Sequence, residues 1–356
     1  MKNRVAIIGI VGVPGNYGGF ETMVENLIDN HELSYTVYCS SFNYKKKPKS
    51  FKNSNLVYIP IKANGIQSIF YDIYAIFHSV ITGHKKLLIL GVSGALIIPF
   101  IKLLPLKLEI YTNIDGIEWK RDKWKGLAKE FLKFSEKLAV KFSTRVIADN
   151  DAIGDYVKKE YKRNASIIAY GGDHALKKNT KGLIFEKPFN KFYLSLCRIE
   201  PENNVQLILR TFEKTDEKLA FIGNWNVSSY SRKLHKKYSQ HPNIKLIDPI
   251  YNTDLLFLYR KECVAYIHGH SAGGTNPSLV EMMHFSKPII AFDCSFNRKT
   301  LENIGFFFKS CEQLQSAISE IDNIDLSAKY KEIADRRYNW DHIRAQYIKL
   351  FKEGKI

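Results

Sequence analysis

Between His268 and Glu281 the chain reads His-Gly-His-Ser-Ala-Gly-Gly-Thr-Asn-Pro-Ser-Leu-Val-Glu. The run follows a strand-like stretch, Cys263 to Ile267, and leads into a helix. Asn276 is a favoured N-cap, and Pro277 suits the first helical position because the N–H it lacks would be orphaned there anyway. Gly273 and Gly274 let the backbone approach a ligand closely and place amides at the helix start. A helix N-terminus attracts anions, phosphate above all. Glu281, about one turn further in, would bring a carboxylate to the hydroxyls of whatever carries that phosphate. Phosphate at the cap and a sugar one turn along describe a nucleotide-sugar site. An ordinary tight strand-to-helix turn is the competing reading of the same residues. His268 and His270 are further candidates for acceptor or phosphate contacts.

Three other stretches carry chemistry-bearing residues. Gly12-Val13-Pro14-Gly15-Asn16-Tyr17-Gly18-Gly19-Phe20-Glu21 follows the apolar run Val5–Ile10 and precedes a helical pattern to about Ile28. Such a loop suits phosphate or a sugar, but its spacing is neither G-x-G-x-x-G nor a P-loop, which argues against a nicotinamide cofactor and against an NTPase. Asn113-Ile114-Asp115-Gly116-Ile117-Glu118-Trp119-Lys120-Arg121 ends another strand-like run. Asp115 and Glu118 are candidate acid/base groups there, and Lys120 and Arg121 could neutralise phosphate. A polar loop with surface salt bridges fits that segment equally well. Finally, Arg198 opens the turn Arg198-Ile199-Glu200-Pro201-Glu202-Asn203-Asn204.

The elements that must position these residues alternate strand and helix. Continuous apolar runs such as Val5–Ile10 mark strands buried on both faces of a parallel sheet. Strands are expected at 35–39, 56–60, 87–91, 107–113, 145–148 and 166–170, with helices at 69–81, 95–104, 126–142 and from Asp151 to near Tyr161. A second series begins at Tyr193. It has strands at 193–198, 218–223, 244–247, 263–267, 288–292 and 305–307, and helices at 205–212, 229–238, 253–260, after Asn276 and at 312–321. Helical segments run from Ala328 through Phe351. This is α/β alternation in two halves, each a doubly wound parallel sheet with ligands expected beyond the carboxyl ends of its strands. The expected domains are 1–175, 190–335 and a terminal helical segment, 336–356.

Bulk properties bound the reading further. At 356 residues there is room for two cores, and 45% hydrophobic with 25% charged residues is ordinary for globular domains. Five cysteines are scattered without C-x-x-C spacing, so neither a zinc pattern nor a disulfide framework is expected, in keeping with a reducing cytoplasm. Met1-Lys2-Asn3-Arg4 leads straight into a strand, so no signal peptide is expected. The apolar run Leu87–Ile101 is short for a membrane span and contains Gly91, Ser93, Gly94 and Pro99. A net charge of +17 suits nucleic acid, an anionic membrane or acidic small molecules. Nothing interleaves aromatic with basic residues as nucleic-acid modules do. Basic clusters such as Lys45-Lys46-Lys47 and Lys85-Lys86 read first as solvated faces; among specific partners the membrane surface is the better one, since anionic lipid attracts basic segments by about 1 kcal/mol per residue.

The three motifs Gly18-Gly19-Phe20-Glu21, Asp115-Gly116-Ile117-Glu118-Trp119-Lys120-Arg121 and Gly273-Gly274-Thr275-Asn276-Pro277-Ser278-Leu279-Val280-Glu281 occur together and in order. With them the chain resembles the bacterial retaining glycosyltransferases of the GT-B, glycogen-synthase-like class, and within it the capsular-polysaccharide rhamnosyltransferases. The resemblance runs nearly end to end. It includes Tyr338-Asn339-Trp340, whose helix in this fold often crosses back onto the first domain.

The resemblance implies two Rossmann-like domains facing a cleft, an N-terminal one for the acceptor and a C-terminal one for the nucleotide sugar. It assigns Glu281 to the nucleotide ribose, and the amides of Gly274, Thr275 and Asn276 to the pyrophosphate. Arg198 would hold the donor phosphates, Gly18 and Gly19 would lie near the reacting centre, and Asp115 would orient the sugar or acceptor. Two positions depart from the family pattern: Gly273 stands where the first glutamate of a pair is usual, and Asn203 where a lysine is usual. Losing that lysine removes a charge-assisted contact of about 1.5–3 kcal/mol. The implied activity is retaining transfer of a sugar, with dTDP-rhamnose the favoured donor. The acceptor would be a lipid-linked saccharide at the inner face of the plasma membrane, during capsule polysaccharide biosynthesis. No metal or other cofactor is expected. A nucleotide-sugar epimerase on the same fold and a non-catalytic nucleotide-sugar-binding protein are the rival readings.

Overall fold

The computed structural model describes residues 4–15, 18–121, 124–176, 179–321 and 323–354. Asn16 and Tyr17 of the first glycine-rich loop lie outside the described residues. The chain divides into two compact units, one of residues 1–169 with 340–356 and the other of residues 170–339.

In the first unit, strands and helices follow one another as β1 (Arg4–Ile8), α1 (Gly19–Leu27), β2 (Ser34–Ser40), β3 (Ser50–Phe51), β4 (Ser54–Ile59), α2 (Gln67–Ile81), β5 (Lys86–Leu90), α3 (Ile98–Lys102), β6 (Glu109–Asn113), α4 (Gly126–Phe142), β7 (Arg145–Ala148), α5 (Asp151–Tyr161) and β8 (Ser166–Ile167). The sheet order is β3-β4-β2-β1-β5-β6-β7-β8, parallel except where β3 pairs with β4. Its central strands are buried at every residue but the first, which is why they read as near-continuous apolar runs. The strand order reverses direction between β1 and β5, so the glycine-rich loop after β1 opens at the topological switch point.

The second unit is laid out as β9 (Tyr193–Leu196), α6 (Val205–Phe212), β10 (Leu219–Ile222), α7 (Ser229–Tyr238), β11 (Ile244–Ile247), α8 (Thr253–Glu262), β12 (Ala265–His268), α9 (Pro277–Met283), β13 (Ile289–Phe292), α10 (Ser295–Thr300), β14 (Phe306–Phe308), α11 (Cys311–Glu320) and α12 (Ser327–Arg337). All its strands are parallel, in the order β11-β10-β9-β12-β13-β14. Its core gathers Phe212, Phe221, Trp225, Tyr238, Ile267 and Phe308 from strands and helices alike.

The final helix, α13 (Trp340–Glu353), belongs to the first unit and lies against α1. Its apolar face buries Trp340, Ile343, Tyr347, Leu350 and Phe351. Arg344 donates to the Asn26 carbonyl at 3.1 Å, and Arg145 donates to the Gly354 carbonyl at 2.7 Å. The helical run expected from Ala328 to Phe351 breaks at Tyr338 and Asn339, where the chain passes from one unit to the other. The short β3 and α10 have too few residues to show a period, and the sequence pattern does not reveal them.

One buried charge in the first unit sets a pH dependence. Asp72 on α2 is 3% exposed and accepts from Ser93, and burial pushes its carboxyl up to about 7. Below the unfolded value of about 3.8 the group is protonated in both states and costs nothing. As pH rises toward 7 the unfolded chain releases the proton first, so stability falls through that window. Asp72→Asn should therefore raise the melting temperature at about pH 8 and leave it nearly unchanged at about pH 4. Thermal melts at the two pH values check this; an equal shift at both would exclude ionisation as the cause.

Candidate functional site

The second unit brings two loops together at the carboxyl edge of its sheet. β9 and β12 are neighbours, and the strand order reverses between them, so the loops that follow meet at the switch point. The loop after β9 carries Arg198 as its second residue; the loop after β12 is the glycine-rich turn. Ser271 donates both its N–H (3.0 Å) and its hydroxyl (2.7 Å) to the Glu202 carbonyl. Asn204 donates to the Gly269 carbonyl at 2.8 Å. A side chain at Gly269 would run into the Asn203 backbone, so this close approach requires glycine.

Asn203, where the resemblance leads to the expectation of a lysine, is 2% exposed and donates to the Arg198 carbonyl at 2.7 Å. It braces the loop that presents Arg198 and supplies no charge to a ligand. The Arg198 side chain is 47% exposed, with Glu200 at 3.9 Å. Its guanidinium is therefore accessible for a phosphate.

The turn itself departs from the simplest expectation. Asn276 caps α9 as read from the sequence, its side chain accepting from the Ser278 N–H at 3.1 Å. The N–H groups of Leu279 and Val280 go to the Asn276 carbonyl, and Pro277 has none. The first turn of α9 thus satisfies its own donors, and the glycine turn lies just before it. Gly273 lies there with φ of 114° and open space where a Cβ would stand. Gly274 is partly exposed, and Thr275 is 5% exposed. Replacing the usual glutamate by Gly273 leaves that approach unobstructed.

Glu281 is 9% exposed, and its carboxylate is already engaged. One oxygen meets the Arg260 guanidinium from α8; the other lies 3.2 Å from His174 Nε2. Burial pushes its pKa up, but Arg260 and His174 more than offset this and hold the carboxyl below its ordinary value. An ionised carboxylate has about four lone-pair sites, so Glu281 retains acceptor capacity beside these two partners. Neither partner stands out in the sequence. Arg260 resembles the cations usual in a last helical turn, and His174 falls in a stretch without periodicity. Gly172 brings the His174 segment in: a Cβ there would lie 2.6 Å from the Val280 carbonyl oxygen.

The first of the two histidines before the turn, His268, does not serve as a cation. His268 is fully buried, and its ring stacks on His270 with centroids 4.5 Å apart. Burial and the neighbouring His270 push its pKa well below the usual value, so it stays neutral. That removes His268 from the phosphate candidates, because a neutral, enclosed imidazole offers no charge to an anion.

In the first unit, Gly18 caps α1 at φ of 134° and Gly19 is the first residue of the helix. Glu21 reaches back to accept from the Val11 N–H at 3.0 Å, and Glu25 accepts from Gly15 N–H. Both carboxylates brace the loop. Asp115 sits at the carboxyl edge after β6 in the left-handed region, φ 59°, with its N–H bonded to Asn113 Oδ1 at 2.9 Å. Non-glycine residues held there cost of order 1–3 kcal/mol and cluster at functional sites.

The neighbouring candidates are committed elsewhere. Arg121 pairs with Glu118 at 2.9 Å, and Trp124 donates to the other Glu118 oxygen at 2.9 Å. Lys120 lies 5.4 Å from the Trp119 ring centre and 5.2 Å from that of Tyr156. Glu118 and Arg121 thus pair within this loop, as in the salt-bridged alternative that the sequence left open, while Lys120 reaches Tyr156 on α5. Among the described residues no group of three or more His, Cys, Asp or Glu is placed to hold a metal ion.

Residues 177–338 match the family model described as Glycosyl transferases group 1, and residues 2–173 match the model described as Domain of unknown function (DUF1972). No curated protein matches by sequence. Several solved structures share the fold. Sucrose-phosphate synthase from Thermosynechococcus elongatus aligns at a TM-score of 0.82 and 13% identity, over 99% of this chain and 98% of that one. Anabaena HepE, in complex with UDP and glucose, aligns at 0.69 and 14%, over 98% of each chain. The catalytic domain of starch synthase IV from Arabidopsis thaliana, bound to ADP and acarbose, aligns at 0.69 and 13%, over 98% of each. The chain thus has the GT-B fold of two Rossmann-like parallel-sheet domains, and its second half matches the group 1 glycosyl transferases.

Proposed function

We propose that the protein is a retaining glycosyltransferase that moves a sugar from a nucleoside diphosphate to a lipid-linked saccharide. The favoured donor is dTDP-rhamnose, and the setting is cell-surface polysaccharide synthesis at the cytoplasmic face of the membrane. One observation carries the reading: an accessible Arg198 and an open glycine turn are tied together at the switch point of the second sheet, with Glu281 fixed beside them.

In this scheme the second unit takes the donor. Arg198 and the amides around Gly273, Gly274, Thr275 and Asn276 receive the diphosphate, and the remaining acceptor capacity of Glu281 goes to ribose hydroxyls. The first unit takes the acceptor, with the Gly18-Gly19 loop and Asp115 near the reacting carbon. The acceptor oxygen forms its bond to the anomeric carbon on the face from which the diphosphate departs. The bond from that carbon to the diphosphate oxygen breaks, and the acceptor's proton passes to the leaving phosphate. Arg198 stabilises the charge that develops there, where fixed donors are most effective.

The test is a panel of nucleotide sugars screened by thermal shift, followed by turnover assays with donor alone and with donor plus lipid-linked acceptor. A ligand at about a hundred times its Kd stabilises by about 2.7 kcal/mol, so dTDP-rhamnose should raise the melting temperature by several degrees. Transfer should require acceptor. Conversion of the donor sugar without acceptor would make the protein an epimerase, and binding without turnover on any such acceptor would make it a binding protein.

A further inference from the structure

The solvent face of α2 lacks the charges that a surface helix normally carries. Its sequence, Gln67 to Ile81, contains a single ionised-type side chain besides His78, Asp72, and that one is buried. The exposed positions are instead large and apolar: Phe70 is 62% exposed, Tyr74 47%, Phe77 49% and Ile81 63%, with Ile66 just before the helix at 79%. They recur at intervals of three and four residues and so form one stripe. The inner face of the same helix is a second apolar face, Tyr71, Ala75, Ile76 and Val80, which packs into the unit.

Neighbouring helices add further exposed apolar residues. α2, α3 and α4 all pack around the one-turn helix Ala95–Ile97, and α3 also packs on α4. α3 and the turn after it expose Phe100 (68%) and Leu103 (83%), and α4 exposes Leu127 (91%) and Phe134 (53%). A patch of this kind on a soluble domain marks an interaction surface.

Charge identifies the occupant. α4 carries Lys129, Lys133, Lys137 and Lys141 at intervals of four along one stripe of the helix; Lys129 and Lys133 lie 5.7 and 5.1 Å from the Trp119 ring centre, and Lys137 and Lys141 are exposed. Of its two acids, Glu136 is buried and accepts from Tyr156, Tyr161 and Trp119, leaving Glu130 exposed. Apolar and aromatic side chains beside a row of lysines match a lipid interface, where rings and aliphatic chains enter the acyl boundary and ammonium groups stay at anionic headgroups. No helix among the described residues is long and apolar enough to cross a membrane, so α2 would lie in the interface plane.

We propose that the outer face of the α2–α3–α4 layer docks the first unit on an anionic bilayer. The proposal deepens the transferase reading, on which its purpose rests, by naming the surface that would bring the first unit to a lipid-borne acceptor. The surface itself stands on exposure and charge.

The test is co-sedimentation of the full chain with vesicles of phosphatidylethanolamine and phosphatidylglycerol, and separately with phosphatidylcholine vesicles, at low and high salt. Donor-induced thermal stabilisation is measured in parallel. The protein should pellet with the phosphatidylglycerol vesicles, and high salt should weaken binding by screening the lysines. Phe70→Ser with Phe77→Ser should lower the partition coefficient by about tenfold or more, and Lys137→Glu with Lys141→Glu should lower it at low salt. Neither pair should change the melting temperature or the donor-induced shift. Wild-type binding by both variants, equal affinity for phosphatidylcholine, or no vesicle binding would overturn the proposal. So would a dimer in solution that the serine variant dissolves, since that would give the face to a second copy. Loss of the donor shift with vesicle binding intact would remove the transferase reading and leave the docking surface standing.

Discussion

Arg198→Ala is expected to lower the rate of sugar transfer by about a hundred- to a thousandfold, the usual effect of removing one donor from the site of developing charge. The fold should be indifferent to the change. The side chain is 47% exposed and its ion pair with Glu200, at 3.9 Å, is long. Exposed pairs of this kind contribute about 0–1 kcal/mol. The loop that carries Arg198 is fixed by other groups, namely Asn203, Asn204 and Ser271, so its backbone should keep its place. Arg198→Lys should recover part of the rate, because it restores the charge without the forked donor geometry that matches a phosphate. Initial rates at saturating donor with a lipid-linked acceptor, paired with a thermal melt, make the measurement. Turnover near the wild-type value would take Arg198 out of the scheme.

Arg260→Ala should have the largest effect on stability, a loss of about 3–5 kcal/mol, because it leaves the Glu281 carboxylate buried beside the His174 ring without the guanidinium that neutralises it. The sign of the pH dependence should change with it. In the wild type the folded pKa of Glu281 lies below the unfolded one, so its contribution is present above about pH 4.5 and is lost as pH falls through the folded value. Without Arg260, burial is less opposed and the folded pKa rises. Acidification toward that raised value should then relieve the strain of the variant. Adding Glu281→Gln to Arg260→Ala should restore much of the stability, since the uncompensated charge is gone, while donor binding stays impaired. Urea unfolding of the wild type, the single variants and the double variant closes the cycle. A single-variant cost below about 1 kcal/mol would mean that the pair is solvated and not the buried anchor described here.

These two arginines differ in how legible they are. Arg198 ends an apolar strand and opens a Pro- and Asn-rich turn, a position that already suggests a ligand. Arg260 precedes a lysine in the last turn of α8, where a cation is ordinary and points outward by default. It is 5% exposed because α8 and α9 lie close enough for its side chain to reach Glu281. A similar contrast holds for Asn203. The sequence shows a missing lysine, and the structure gives the position a different task, bonding to the Arg198 carbonyl.

The sequence by itself determined most of the elements and their succession, β3, α10 and the break between α12 and α13 aside. α4, β7 and α5 begin and end where apolar period and capping residues put them, as do α6 and β11. It also determined that glycine-rich turns follow the strands of two parallel sheets. Period, capping and turn chemistry are properties of residues within about four positions of one another, so a linear reading contains them. The tertiary structure decided which charges meet. It committed Glu118 to Arg121, enclosed His268 as a neutral ring, and set Glu281 between Arg260 and His174. It also left the outer face of α2 uncovered. Those outcomes depend on strand order and on which loops arrive at the same edge, and burial then fixes the charge state of each group. None of that is encoded in the spacing of neighbouring residues.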